Sequence, residues 1–252
     1  MTTPTHLQDR VDQLRAGKFL GVQFDDFERT GREQLIFLLM CGLTPNSTIV
    51  DIGCGVLRAG YWLIHFLDAG RYCGIEPSKE RLSIGLGTIL EPEVFDLKQP
   101  RFDHNANFDT SVFRERFDYF LAYSIWTHAS KGQIGIMLDN FVRDSKPDAV
   151  FLTTILPADW RKPDYLGETW MGTSHESDAP GCIYHDLAWI KRECRRRGLL
   201  VRPLGKDTTM GQTWLRVSRH GFSPRIPDIR FPARWRRLFE RIRTKLGTFA
   251  NS

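Results

Sequence analysis

Two short stretches of this 252-residue chain combine residue types and spacing that suit ligand chemistry. The first is Asp51-Ile52-Gly53-Cys54-Gly55, at the end of the β-branched run Thr48 to Ile52. Gly53 and Gly55 let the backbone turn sharply and come close to a ligand. The second is Cys73-Gly74-Ile75-Glu76-Pro77-Ser78, which places Glu76 twenty-five positions after Asp51. A carboxylate at a strand end can accept hydrogen bonds from both hydroxyls of a ribose. A glycine turn and an acid at this spacing point to a cofactor of the adenosine type.

The pattern also excludes two common nucleotide sites. A dinucleotide fingerprint needs G-x-G-x-x-G, with pyrophosphate on the helix N-terminus. Here the third glycine position is Arg58 and the next glycine is Gly60. No Lys-Ser/Thr follows the glycines, so the turn is not a Walker A loop. A candidate for proton removal is His128, in Ser124-Ile125-Trp126-Thr127-His128, because a neutral imidazole is an available base near pH 7. The structural alternative is a histidine that orders its loop or caps the next helix. His65 sits in an apolar helix and reads as a satisfied core residue, while His104 falls in a polar loop. No metal-ligand constellation stands out; Asp25-Asp26 and Glu91 with Glu93 adjoin turns and read as solvated.

Elements that could position these residues alternate along the chain. Thr48–Ile52, Arg71–Ile75, Phe117–Ile125 and Ala149–Leu156 are near-continuous apolar strands, as a sheet covered on both faces requires. Leu35–Cys41 reads as a buried helix closed by Gly42, and Gly60–Leu67, Gln133–Arg143 and Asp186–Arg197 as further helices. The economical α/β fold is a doubly wound, mostly parallel sheet. Leu199–Val201 and Thr213–Val217 lie too close for a helical crossover and should close it antiparallel. Pro157 to Tyr184 is a long connection containing Trp160, Tyr165, Trp170 and Tyr184, suited to covering a bound molecule; His175, Glu176 and Asp178 are secondary binding candidates there.

Composition bounds the rest. With 41% hydrophobic and 26% charged residues the chain can bury a core, and no run of about 18 apolar residues suggests a membrane span. Met1–Arg15 lacks the apolar stretch of a signal peptide, so a cytoplasmic protein is expected. Five cysteines without a CxxC pair argue against a disulfide framework or zinc site. The net charge of +5 divides unevenly. Residues 219–252 hold nine Lys/Arg against Asp228 and Glu240, a net +7, leaving −2 for residues 1–218. The body therefore has no excess positive charge for gripping nucleic acid. The tail spaces Phe231, Trp235, Leu238, Phe239, Ile242 and Leu246 at helical intervals among arginines. Such a helix can lie on an anionic membrane, bind an acidic partner, or dock on the body of the protein or a second subunit.

These motifs resemble the class I S-adenosylmethionine-dependent methyltransferases. Val50–Gly55 is similar to their first motif, Gly74-Ile75-Glu76-Pro77 to their acidic second-strand motif, and Phe117–Phe120 with Ala122-Tyr123-Ser124 to their fourth-strand motif. Gly211–Leu215 resembles their seventh strand. Leu57 replaces the usual third glycine, and Cys54–Gly60 resembles a bacterial subgroup with a CG-x-LR-x-G signature. The resemblance implies a seven-stranded sheet with S-adenosyl-L-methionine as cofactor. It implies an N-terminal helical segment 1–33 over the cofactor site, a methyltransferase domain 34–218 and a basic tail 219–252. It also implies that Asp51, Gly53, Cys54 and Gly55 form the turn beside the amino-acid end, and that Glu76 holds the ribose. Pro77 and Ser78 would border the adenine, Asn107 with Phe108 would meet its edge, and Ala122 and Ser124 would line the sulfonium side. Arg58 reads either as the partner of the cofactor carboxylate or as a surface arginine. The expected acceptor is a small-molecule or glycan hydroxyl. The rivals are an RNA methyltransferase, an NAD-dependent oxidoreductase and a non-catalytic cofactor-binding scaffold.

Overall fold

The structure, a computed structural model, describes residues 6–16, 26–172, 179 and 181–220. In chain order the elements are α1 (Leu7–Ala16), α2 (Phe27–Met40), β1 (Ile49–Ile52), α3 (Arg58–Phe66), β2 (Tyr72–Ile75) and α4 (Lys79–Ile84), which runs into a π-helical turn (Gly85–Ile89). Then follow α5 (Pro92–Lys98), β3 (Arg101–Asp103), β4 (Phe117–Ala122), α6 (Lys131–Asp144), β5 (Ser145–Ile155), α7 (Leu187–Arg196), β6 (Leu200–Lys206) and β7 (Thr213–Ser218).

The strands form one seven-stranded sheet in the order β3-β2-β1-β4-β5-β7-β6. β1 pairs in parallel with β2 and β4, and β4 with β5, whereas β7 runs antiparallel to both β5 and β6. The apolar runs are continuous because both faces are covered. Ile49, Leu121 and Leu152 join one core cluster with α2 and α3, and Val50, Phe120 and Phe151 join the other with α6 and α7. Side chains alternate between faces along a strand, so each strand feeds both clusters. Register places Asp51 beside Gly74 of β2 and Leu121 of β4, which aligns the carboxyl ends of the three strands. In such sheets ligands bind at this edge.

Several local expectations shift. The helix read from Leu35 begins at Phe27, so the boundary at residue 34 falls inside α2. It is half-buried, with Ile36, Leu39 and Met40 exposed, because it covers the sheet on one side only. β4 stops at Ala122, since Ser124 takes a left-handed φ of 58° and turns the chain away. His65 is not a core residue: its side chain is 35% exposed near Glu91, with Nδ1 2.7 Å from the Tyr61 carbonyl. The amphipathic positions of the tail, from residue 221 on, lie outside the described residues, as do His175, Glu176 and Asp178. No helix among the described residues is long and apolar enough to cross a membrane.

α6 begins with a capping box in which Ser130 accepts from Gln133 N and Gln133 returns a bond to Ser130 N at 2.8 Å. Ser130→Ala should cost about 1 kcal/mol, the usual value of an N-cap. Urea titration should show a lower midpoint with an unchanged slope.

Candidate active site

A cavity of about 250 Å³ opens at the carboxyl ends of β1, β2 and β4, near the small end of the range for ligand sites. Its construction starts with the turn after β1. Gly53 N and Cys54 N both donate to the Ile75 carbonyl, at 2.8 and 3.1 Å, which pins the turn to the end of β2. Gly53 has φ 75° and Gly55 φ 57°; a Cβ on Gly53 would come within 2.2 Å of the Ile125 side chain. The pinned turn then presents Gly55 N to Glu76 Oε2 at 3.0 Å, while Ser78 N donates to Oε1 at 3.0 Å. Arg81 Nη1 lies 3.6 Å from the same Oε1. Glu76 is therefore a nearly buried carboxylate held by two amides and a cation, and it lines the cavity.

Two opposite charges share the same wall. Asp51 is buried and accepts from the Tyr72 hydroxyl at 2.8 Å; desolvation pushes its pKa up to about 7. Arg58 stacks its guanidinium over the Tyr123 ring at 5.5 Å and, among the described residues, has no hydrogen-bond partner. Burial lowers its pKa, and Tyr123, Asp51 and Asp207 pull it back. Tyr123 is anchored in turn by donating to Asp207 Oδ2 at 2.8 Å.

His128, Trp170 and Phe108 also line the cavity: His128 and Trp170 stack with centroids 5.6 Å apart, and Phe108 lies nearly parallel to Trp170 at 6.4 Å. His128 Nδ1 is 2.7 Å from the Met171 carbonyl, and burial lowers the imidazole pKa below its ordinary value. A hydrogen bond to a carbonyl requires the proton on Nδ1, leaving Nε2 with the lone pair.

The cavity thus gathers Asp51, Gly53, Cys54, Gly55, Arg58, Glu76, Pro77, Phe108, Ser124 and His128. Three expected residues do not face it. Ala122 is fully buried in the α6 and α7 cluster, because strand alternation turns Tyr123 to the cavity instead. The Ser78 hydroxyl caps α4 by accepting from Arg81 N at 3.2 Å. Asn107 is exposed, and the loop is held by its neighbour Asn105. The sequence reading missed Phe27 and Gln34 from α2, Arg81 from α4 and Met210 from the β6–β7 hairpin as lining residues. Arg81 had one signal, its place in the first turn after Glu76; the others arrive by long-range packing. Leu57 fills the missing glycine position with φ 65°, a left-handed conformation that favours glycine.

No family model matches the chain. Similar solved structures include magnesium protoporphyrin IX methyltransferase (ChlM) from Synechocystis PCC 6803 with bound SAM, at 14% identity and TM-score 0.58, covering 87% of this chain and all of that one. Streptomyces venezuelae DesVI matches at 15% identity and TM-score 0.57, over 86% of this chain and all of its own. The fold is that of class I methyltransferases. The glycopeptide N-methyltransferase MtfA complexed with SAM shares it at 12% identity and TM-score 0.56, over 75% of this chain and 94% of that one.

Asp51 gives the site a pH signature. Its folded pKa near 7 exceeds the unfolded value of about 3.9, so the folded state holds its proton more tightly. The fold therefore loses stability from this group as pH rises across that window. Asp51→Asn should melt at higher temperature than the parent at pH 8, and the difference should vanish near pH 4.

Proposed function

We propose that this chain is a cytoplasmic S-adenosylmethionine-dependent methyltransferase whose acceptor is a small molecule or glycan, methylated on a hydroxyl. The observation that carries the reading is one cavity lined by a clamped ribose-type acid, a buried Asp51 and an Arg58 that has no hydrogen-bond partner among the described residues. A dinucleotide needs an open helix N-terminus for pyrophosphate. Here Arg58 opens α3 and sits in the cavity, where a guanidinium fork suits a carboxylate. Asp51 complements an ammonium group, so the pair fits the zwitterionic end of an amino-acid nucleoside better than NAD. The SAM held by the ChlM and MtfA structures supports the same choice.

The residues present fit that cofactor. Glu76 would hold the ribose hydroxyls, Pro77 and Phe108 would pack on the adenine, and Arg58 with Asp51 would take the carboxylate and ammonium. Gly53, Cys54, Gly55 and Ser124 would shape the channel between them. Phe27 and Gln34 support a covering role for the N-terminal helices. Bound S-adenosylmethionine supplies a methyl group on an electrophilic sulfonium. The chain's part is then to orient the acceptor in line and remove its proton. Neutral His128 would accept that proton at Nε2 while its Nδ1–H stays on the Met171 carbonyl.

The net charge of −2 over residues 1–218 disfavours an RNA acceptor. The basic tail supports, on its sequence, contact with an anionic membrane or acidic partner.

Calorimetric titration should show binding of S-adenosylmethionine and none of NADH. Glu76→Ala should weaken the cofactor by about 1.5–3 kcal/mol, the worth of hydrogen bonds to a charged group. Unchanged affinity would remove the ribose assignment.

A further inference from the structure

The connection between β5 and α7 does more than border the cavity: its two limbs enclose Thr127 and His128. At its base Pro157 pairs with His185, and Asp164 with Tyr184. Ala158 N donates to the His185 carbonyl at 3.0 Å, and Tyr165 N to the Tyr184 carbonyl at 2.9 Å. Inside this neck one limb reaches His128 and the other Thr127. Met171 N donates to the His128 carbonyl at 2.9 Å, and Ile183 N to the Thr127 carbonyl at 2.8 Å.

The first limb also holds the side chain. Met171 exchanges two bonds with one residue, its N–H meeting the His128 carbonyl and its carbonyl meeting His128 Nδ1 at 2.7 Å. Gly172 follows with φ 109°, and a Cβ there would lie 2.4 Å from Nδ1 and 2.9 Å from Cε1. An imidazole and a side chain cannot share that space. The other ring nitrogen, Nε2, lies 3.9 Å from Cys182 Sγ on the second limb. Burial raises the Cys182 pKa, keeping it a neutral thiol that can donate weakly to an Nε2 lone pair. These two contacts ask for the same tautomer, and the Gly181 carbonyl is a further backbone acceptor beside the ring.

We propose that Met171 and Gly172 are positioning residues that hold His128 as its Nδ1–H tautomer, the Met171 carbonyl fixing the proton and the bare Gly172 leaving room for the ring. The inference rests on the reading of His128 as the base that deprotonates the acceptor. In that step the acceptor oxygen forms its bond to the methyl carbon as the carbon–sulfur bond breaks and its electron pair stays on sulfur. The acceptor proton passes to Nε2, and the resulting imidazolium returns it to solvent. An imidazole protonated at Nε2 instead would present no lone pair there.

The test needs no acceptor. Long-range ¹H–¹⁵N correlation spectra of the ¹⁵N-labelled full chain, with His128 assigned by loss of its signals in His128→Gln, report which ring nitrogen carries the proton. The expected result is protonation at Nδ1 in the parent and a shift toward Nε2 in Gly172→Ala. Gly205→Ala, in β6, is the matched control: its φ is 145°, but its Cβ would meet nothing within 4 Å. It should leave the parent pattern intact. A parent protonated at Nε2, or a Gly172→Ala variant that keeps the Nδ1–H pattern, would overturn the proposal. If Gly172→Ala does not fold, the parent tautomer alone decides. S-adenosylmethionine titrated into the parent separates the two readings. Absence of binding overturns the methyltransferase assignment whatever the tautomer, whereas binding with Nε2–H overturns only the positioning role.

Discussion

The buried Glu76 carboxylate is the constraint on which the site depends. A charge with 2% of its residue surface exposed is tolerated only where donors replace water. Gly55 N and Ser78 N do so from two different connections, one following β1 and one following β2. Meeting that demand fixes the approach of the glycine turn to β2, and hence the distance between the two sides of the cavity. The parallel register of β1 on β2, and the two bonds onto the Ile75 carbonyl, put the donors there before any ligand arrives. Backbone donors need no side-chain ordering, so the acid is organised at small entropic cost.

Beside this clamp the electrostatics are left incomplete. Asp51 is buried with one strong donor, Tyr72, and Arg58 has an aromatic face where a hydrogen-bonding anion would ordinarily stand. Their mutual field offsets only part of the desolvation of each, which leaves Asp51 shifted up and Arg58 shifted down. A ligand carrying both signs would relieve both, and stability spent on unmatched charges is a common feature of binding sites.

Legibility in the sequence followed how local each determinant was. Strands β1, β2, β4 and β5 were plain because double coverage makes them continuously apolar, and Glu76 was plain because a lone acid at a strand end has few structural uses. Tyr123 rather than Ala122 faces the cavity because period-two alternation decides the facing residue, and the strand end, which sets the phase, depends on the turn at Ser124. Gln34, Trp170 and Met210 come from an N-terminal helix, a long connection and a distant hairpin. The aromatic content of the long connection hinted at Trp170, whereas nothing near Gln34 or Met210 in sequence marks their convergence. At Leu57 the left-handed turn persists without its glycine, with the side chain packed against Gly60.

The reversal of β7 has a consequence for how such a scaffold can diversify. Because β6 runs with the parallel strands and β7 returns, their hairpin at residues 207–212 emerges at the ligand edge. Asp207 there grips Tyr123, Gln212 grips Ser124, and Thr208 grips Glu33 of α2. One short, surface-accessible bend therefore fastens a helix, a strand end and the cavity wall at once. Lengthening or recomposing it can remould the chamber while every strand pairing stays as it is, which makes it an economical place for evolution or an engineer to change what the cavity admits.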